Sequence, residues 1–201
     1  MVEYFVNGGP FMWPILILLI AGLGISGERF YSLFISSTNT KEFFDDVIKS
    51  LDNDGIDNTI ELCNNTPGPV AEIFHAGLLR TNRGLEEVEK AIQNAGSLEM
   101  AFLEKNMIWL NTVITVAPMI GFTGTVVGMI GAFDAIKAAN DISPAVVAGG
   151  ISQALLTTAF GLITAMIIQI CQNYFSSQID GMVIDMEEKS IELTDLLRSA
   201  K

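Results

Sequence analysis

The chain has 201 residues, of which half are hydrophobic and only 17% are charged, and its formal net charge is −12. Soluble domains usually have about a quarter of their residues charged, so this deficit indicates segments removed from water. The acidic balance argues against nucleic acid as a partner, because phosphate binding requires clustered Lys and Arg. Two cysteines and one histidine are too few for a disulfide framework, a zinc site or a histidine relay. We therefore expect neither an enzyme nor a bound cofactor.

Charged residues are missing from three blocks, 11–27, 107–133 and 142–179. A run of about 20 apolar residues is long enough to cross a hydrocarbon core of about 30 Å. The first block follows no basic segment and precedes no small-residue cleavage site, so we interpret it as an uncleaved span and not as a signal peptide. The sequence thus predicts an all-α integral membrane protein with transmembrane helices over 11–34, 107–133 and 147–175.

The distribution of Lys and Arg predicts the orientation of these helices. Three spans put residues 1–10 and 134–146 on one side, where Lys137 is the only basic residue. The other side has residues 35–106 and 176–201 and ten basic residues, counting one at the edge of the first span. Cytoplasmic flanks are enriched in Lys and Arg. We therefore predict a periplasmic N-terminus and 134–146 loop, with a cytoplasmic 35–106 segment and C-terminus.

The 35–106 segment has the pattern of helices separated by turns. Apolar residues at i, i+3 and i+4 predict a helix over 41–51 with one apolar face. Residues 52–55 resemble a calcium loop only superficially, because the ligand spacing and the terminal Glu are missing, so a solvated turn is predicted. Pro69 suits the first turn of a further helix over 70–79.

Two of the predicted helices extend beyond the membrane. From Gly84 the apolar residues keep helical spacing without a breaker into the second span, which predicts one unbroken helix of about 45 residues. Apolar residues among the acids of 176–201 likewise predict that the third span continues as a cytoplasmic C-terminal helix. Long helices extending into the cytoplasm are therefore part of the expected fold.

Small residues of the second span share one helical face, with the spacing i, i+4, i+7 and i+11 from Gly121 to Ala132. In lipid, small residues let helix backbones approach closely, and the pair Gly124 and Gly128 has the GxxxG spacing. We expect this face to meet neighbouring copies in an oligomer. Proline removes a backbone hydrogen bond and loosens a helix. The predicted helix-packing residues are Gly121, Gly124, Gly128, Gly161 and Pro118.

Polar residues of the third span form a stripe, since Gln153, Thr157, Gly161 and Thr164 follow the spacing i, i+4, i+8 and i+11. Polar side chains at membrane depth usually face the bundle interior or a water-filled path. The second and third spans contain no Asp, Glu, His, Lys or Arg. An ion path normally needs a carboxylate that binds and releases the ion. If this chain moves ions, the titrating group must therefore come from another polypeptide.

Residues 118–133 and 150–162 closely resemble the second-span and third-span signatures of the MotA/TolQ/ExbB proton channel family. Glu28-Arg29 at the end of the first span, the 69–78 segment and the 173–175 segment support this resemblance. Three spans with an outside N-terminus resemble the ExbB/TolQ branch, whereas MotA-like stators have four spans.

The resemblance implies a homo-pentamer in the lipid of a bacterial inner membrane, surrounding a dimeric single-span partner of the ExbD/TolR/MotB kind. The partner supplies the membrane Asp, and proton flow turns the pentamer and transmits mechanical energy to the periplasm. By position, Thr125 and Thr158 match the two pore-lining threonines of the family. Gln153 stands where many ExbB and TolQ proteins have a Glu, so a titratable pore glutamate is not expected here.

Two alternatives to a proton-driven motor stay open at this point. Sodium-driven stators tend to have a second threonine before the third-span threonine, as Thr157 precedes Thr158 here. Sodium is a hard cation that needs several oxygen ligands, which two hydroxyls, carbonyls and a carboxylate supply, and Gln153 adds a neutral amide oxygen. A sodium ion near Thr157 and Thr158 is therefore the one metal interaction that the sequence suggests, and proton use is the default expectation. The second alternative is a helix bundle that supports an envelope machine without conducting ions.

Overall fold

The computed structural model describes residues 2–36, 40–53, 55–139 and 144–199. Over these ranges the chain is helical apart from turns and contains no strand, which confirms the all-α prediction. A short 3₁₀ turn covers Thr81–Arg83. The α-helices are α1 Val2–Asn7, α2 Met12–Ser36, α3 Thr40–Asn53, α4 Gly55–Asn65, α5 Pro69–Leu78, α6 Leu85–Leu103, α7 Met107–Ala139 and α8 Pro144–Ser199.

Three helices in the described part of the chain, α2, α7 and α8, are long and apolar enough to cross a membrane. Large apolar side chains cover much of their surface, with Phe122 66% and Ile170 71% exposed. Contiguous apolar surface of this kind suits hydrocarbon and not water. The three predicted spans are therefore confirmed as helices.

The helix ends differ from the predicted bounds mainly after the second span. Helix α7 continues to Ala139, so part of the predicted 134–146 loop is helical. Asp141, in the same loop, lies outside the described residues. Helix α8 reaches Ser199 without interruption, as predicted for the C-terminal tail.

The chain divides into two compact units, of which the first comprises Met1–Glu28 and Asn106–Tyr174. Its core lies between α2, α7 and α8, where a side chain on Gly22 would meet Ile168 and Val113. Fully or almost fully buried side chains of this core include Met12, Ile15, Leu110, Ala117 and Ile168.

The second unit comprises Arg29–Lys105 and Phe175–Lys201. The predicted helices over 41–51 and 70–79 correspond to α3 and α5, and Pro69 occupies the first turn of α5. Their apolar faces meet at Phe74, whose ring centroid is 5.9 Å from those of both Phe43 and Phe44. The Lys189 ammonium of α8 lies 4.7 Å from the centroid of the Phe44 ring, a cation–π contact. Asp54, in the predicted turn between α3 and α4, lies outside the described residues.

The predicted unbroken helix from Gly84 into the second span is wrong, because the chain breaks between α6 and α7. Asn106 adopts a left-handed conformation with φ 66°, which ends helical geometry and which Asn tolerates better than most residues. The last carbonyls of α6 are capped from far away: Arg29 Nη1 donates to the carbonyl oxygens of Phe102 and Leu103, each at 3.4 Å. A side chain more than seventy residues distant therefore stabilises an end that the local sequence does not mark.

Candidate ion pathway

Helices α7 and α8 approach each other so closely that glycine is required at their contact. A Cβ on Gly161 would lie 2.6 Å from the carbonyl oxygen of Ala117, and one on Gly121 would lie 2.9 Å from that of Thr157. Real Cβ atoms do not approach backbone this closely, so only hydrogen fits. We call this contact the seam; it consists of Ala117, Gly121, Gly124 and Gly128 of α7 and Ala154, Thr157, Thr158 and Gly161 of α8.

The seam runs antiparallel along both helices. Gly124 faces the Thr157 side chain, with a built Cβ 2.5 Å from Oγ1, and Gly128 faces Ala154, at 3.1 Å from its Cβ. The glycine face is thus filled by the third span of the same chain, which corrects the expectation that it meets neighbouring copies. Ala117 and Ala154 are further partners in this contact that the glycine spacing did not predict, although both are small residues in register with the glycines.

The two threonines matched to the family's pore lie at the partly exposed edge of the seam. Thr158 Oγ1 donates to the carbonyl oxygen of Gly121 at 3.1 Å, so its hydroxyl joins the two helices. Thr125 follows Gly121 by one turn, and its Oγ1 donates to the carbonyl oxygen of Phe122 at 2.6 Å. Both side chains are half-buried, and both hydroxyl oxygens keep acceptor capacity.

Thr157 and Gln153, the other predicted pathway residues, have different surroundings. Thr157 is only 1% exposed, and its Oγ1 donates to the carbonyl oxygen of Ala154 at 2.8 Å. Gln153 is half-buried, and its amide lies against Gly9, between α1 and α2. With Thr164 2% exposed, most of the predicted polar stripe lies inside the packed first unit and not along its surface.

Two buried polar atoms of the first unit have no hydrogen-bond partner among the described residues, Ser26 Oγ and Gln172 Oε1. The described residues also include no cluster of His, Cys, Asp or Glu that could hold a metal ion. Pro118 lies within α7, which continues on both sides of it. The seam consists of Ala, Gly and Thr only, so an ion beside it would meet hydroxyls and carbonyls and no ionisable side chain.

Comparison with known proteins identifies the family to which this chain is similar. The model of the MotA/TolQ/ExbB proton channel family matches residues 65–188, a range that contains the whole seam. A putative biopolymer transport protein ExbB homolog of Methanothermobacter thermautotrophicus is 32% identical over 192 residues, which cover 92% of this chain and 66% of that protein. An ExbB-like protein of Synechocystis is 27% identical, over 85% of this chain and 82% of the relative.

A relative from the TolQ group is also similar. The Tol-Pal system protein TolQ of Pseudomonas aeruginosa is 34% identical over 125 residues, which cover 57% of this chain and 54% of that protein. The alignments thus span from about half to about four fifths of the length of these three relatives. The family model, the ExbB and TolQ relatives and the three apolar helices agree: the chain belongs to the MotA/TolQ/ExbB proton channel family.

Proposed function

We propose that this chain is the three-span subunit of an inner-membrane, ion-driven motor of the ExbB/TolQ type. It conducts protons together with a single-span ExbD/TolR-like partner that supplies the membrane Asp. It transmits the resulting mechanical work to the periplasm or the outer membrane. The subunit itself performs no chemical catalysis and needs no cofactor, since the transported ion is its only substrate.

The observation that carries this proposal is the pair of half-buried threonines at the edge of a glycine-tight seam that lacks ionisable groups. Thr158 joins the two helices, but the Thr125 hydroxyl bonds to a carbonyl of its own helix, so a scaffold gains no helix contact from it. Thr125 and Thr158 can hydrogen-bond to a carboxyl group that passes beside the seam, because each retains acceptor capacity. A partner carboxylate there would complete the pathway, since intramembrane carboxylates are the usual ion carriers.

The proposed assembly is a pentamer of this chain around a dimer of the partner, with the N-terminus periplasmic and the C-terminus cytoplasmic. The ten-to-one distribution of basic residues supports this orientation. One ion falling through a membrane potential of about 150 mV releases roughly 3.5 kcal/mol, at about 2.3 kcal/mol per charge per 100 mV. That free energy is sufficient to bias one conformational step of the pentamer around the dimer.

The surroundings of Thr157 favour protons over sodium as the transported ion. A sodium site needs several oxygen ligands within reach of the passing ion. The Thr157 hydroxyl is enclosed between Gly124 and the Ala154 carbonyl with 1% of the residue exposed, so an ion could reach it only if the seam opened. Proton transfer needs only an acceptor and a water chain, which the exposed seam edge can provide.

Substitution of the seam threonines tests this function. Thr→Val keeps the shape and removes the hydroxyl, so T125V/T158V should abolish proton uptake into liposomes by the complex purified through a tag on this chain. Thr112 and Thr123 are matched controls, because both are exposed on α7 and bond to carbonyls of their own helix, Ile108 and Met119. T112V and T123V should leave uptake unchanged, and all variants should yield intact complex.

The same assay distinguishes the alternatives at fixed membrane potential. Uptake that persists without sodium and is unaffected by T157A supports protons, whereas uptake that requires sodium and is lost in T157A supports a sodium stator. A wild-type complex that conducts neither ion supports a non-conducting scaffold. Normal uptake in T125V/T158V contradicts the proposed pathway and leaves both threonines with a packing role only.

A further inference from the structure

Two carboxamide side chains on α8 lie near the end of the third span. Gln169 Nε2 donates to Asn173 Oδ1 at 2.8 Å, and neither side chain is buried. The exposed side chains next to them are apolar, with Met166 56% and Ile170 71% exposed. A primary carboxamide has two donor hydrogens and two acceptor lone pairs, so this single bond leaves most of their hydrogen-bonding capacity unused. Contact with lipid chains would leave that capacity unsatisfied at high cost.

Helical geometry puts these amides on the edge of the seam that the pathway threonines occupy. Gln169 follows Thr158 by eleven residues, close to three full turns, and therefore lies on the same side of α8. On α7, Asn111 precedes Thr125 by fourteen residues, close to four full turns. Asn111 is exposed, as expected for a residue at the seam edge.

The register of the seam brings the amides of the two helices to one level. Gly121 is bonded to Thr158, and Ala117 contacts Gly161, so the helices are antiparallel. Ten residues back from Gly121 is Asn111, and ten residues forward from Thr158 is Ile168, next to Gln169. Asn111 and Gln169 therefore lie at the same level, about three turns beyond Thr158 and about four turns beyond Thr125.

The exposed threonine hydroxyls near Asn111, unlike the carboxamides, need no further hydrogen-bond partner. Thr112 and Thr115 of α7 bond to carbonyl oxygens of their own helix, at Ile108 and Asn111. A threonine satisfied in this way is compatible with lipid. A carboxamide cannot satisfy all its groups on its own helix, so Asn111 and Gln169 need water or another polar group.

We propose that Asn111, Gln169 and Asn173 form the cytoplasmic mouth of the ion pathway, where their carboxamides hold a chain of hydrogen-bonded water. This inference rests on the proposed function, because the water connects the threonine level to the cytoplasm. Neutral amides suit such a mouth, since they orient water by donating and accepting hydrogen bonds without binding a proton themselves. A carrier carboxyl group at the threonines would release its proton into this water.

The test uses proton uptake by the complex purified through this chain and reconstituted in liposomes. N111L/Q169M removes both amides while keeping the side chains long and helix-compatible, and should lower uptake about tenfold, as expected if the conducting water loses hydrogen bonds worth roughly 1.4 kcal/mol. Q169E keeps two acceptor oxygens and should retain uptake. T112V/T115V is the matched control, because both threonines are exposed on α7 within about one turn of Asn111 and already bond to carbonyls of their own helix. Complex yield and thermal unfolding should match the wild type in each variant.

The outcomes distinguish a failure of the proposed cytoplasmic mouth from a failure of the proposed function. Loss of uptake in T125V/T158V with wild-type uptake in N111L/Q169M would overturn the mouth alone, and the amides would then be anchors at the headgroup level. Equal loss in T112V/T115V and N111L/Q169M would also overturn it, because the effect would not depend on the carboxamides. A wild-type complex that takes up no protons would overturn the mouth and the proposed function together.

Discussion

Gly161 and Gly131 have different surroundings, although both lie in membrane-spanning helices. A Cβ on Gly161 would stand 2.6 Å from the Ala117 carbonyl oxygen, whereas a Cβ on Gly131 would meet nothing within 4 Å. Because backbone cannot move aside as a flexible side chain can, we expect Gly161→Ala to destabilise the chain by about 1–3 kcal/mol. Gly131→Ala should be neutral or slightly stabilising, since Ala is the better helix former.

Thermal unfolding in detergent measures both glycine variants. A clear fall in Tm for Gly161→Ala with no fall for Gly131→Ala would agree with the seam. Similar Tm values for the two variants would show that α7 and α8 are not in backbone contact at Gly161.

Glu99 makes the stability of the second unit pH-dependent. Burial raises the pKa of this carboxyl group, and the charge of Glu72 raises the pKa further. An acid with a raised pKa binds more protons when folded, so its ionisation lowers stability as pH rises from the unfolded value, about 4.3, through the folded pKa. We expect Glu99→Gln to raise Tm at pH 7 and to change it little near pH 4.

A series of unfolding scans between those two pH values tests this expectation. Glu61→Gln, at an exposed position of α4, is the control and should shift Tm by a similar small amount at every pH. A Glu99→Gln effect that does not depend on pH would contradict the role of ionisation.

At the scale of elements, the turn between α6 and α7 depends on the left-handed conformation of Asn106 as well as on the hydrogen bonds from Arg29. Asn106 has φ 66° and its Nδ2 donates to Glu28 Oε2 at 3.2 Å. Asn106→Ala and Asn106→Gly both remove this donor, but only Ala must bear the left-handed conformation. We therefore expect Asn106→Ala to be less stable than Asn106→Gly by about 1 kcal/mol, measured by unfolding in detergent. Equal stability of the two variants would mean that the turn relaxes to an ordinary conformation.

The elements themselves could largely be predicted from the sequence. Apolar periodicity predicted α3 and α5, because burying one face of a helix requires apolar residues every three or four positions. The α6–α7 break could not be predicted, since its carbonyls are capped by Arg29 and the local sequence has neither Gly nor Pro there. The periodicity continues across the break and therefore carries no signal of it.

At the scale of the whole molecule, the proposed orientation can be tested with single cysteines. Lys137 and Arg83 are both exposed, and the orientation assigns them to the periplasm and the cytoplasm. In a background without Cys63 and Cys171, a membrane-impermeant maleimide should label K137C in spheroplasts and R83C only after permeabilisation. The opposite pattern would reverse the topology and with it the direction of the proposed mouth.

Membrane insertion, the number of spans and the family follow from the sequence alone. The thickness of hydrocarbon requires about 20 uncharged residues per span, so such runs identify spans without any tertiary information. The spacing of Gly121, Gly124 and Gly128 likewise indicates that some backbone must approach this face. Spacing does not identify which backbone, however, and only the tertiary structure assigned it to α8 of the same chain.

The tertiary structure also separated two adjacent threonines that the sequence treats alike. Successive residues of a helix differ by about 100° in direction, so Thr157 is enclosed against Gly124 while Thr158 lies at the partly exposed edge beside Gly121. The sequence shows that both hydroxyls lie in the third span, but it does not show where the neighbouring helix packs. The direction of that neighbour depends on contacts between residues distant in the chain, and for this reason the exposed hydroxyl could be identified only from the fold.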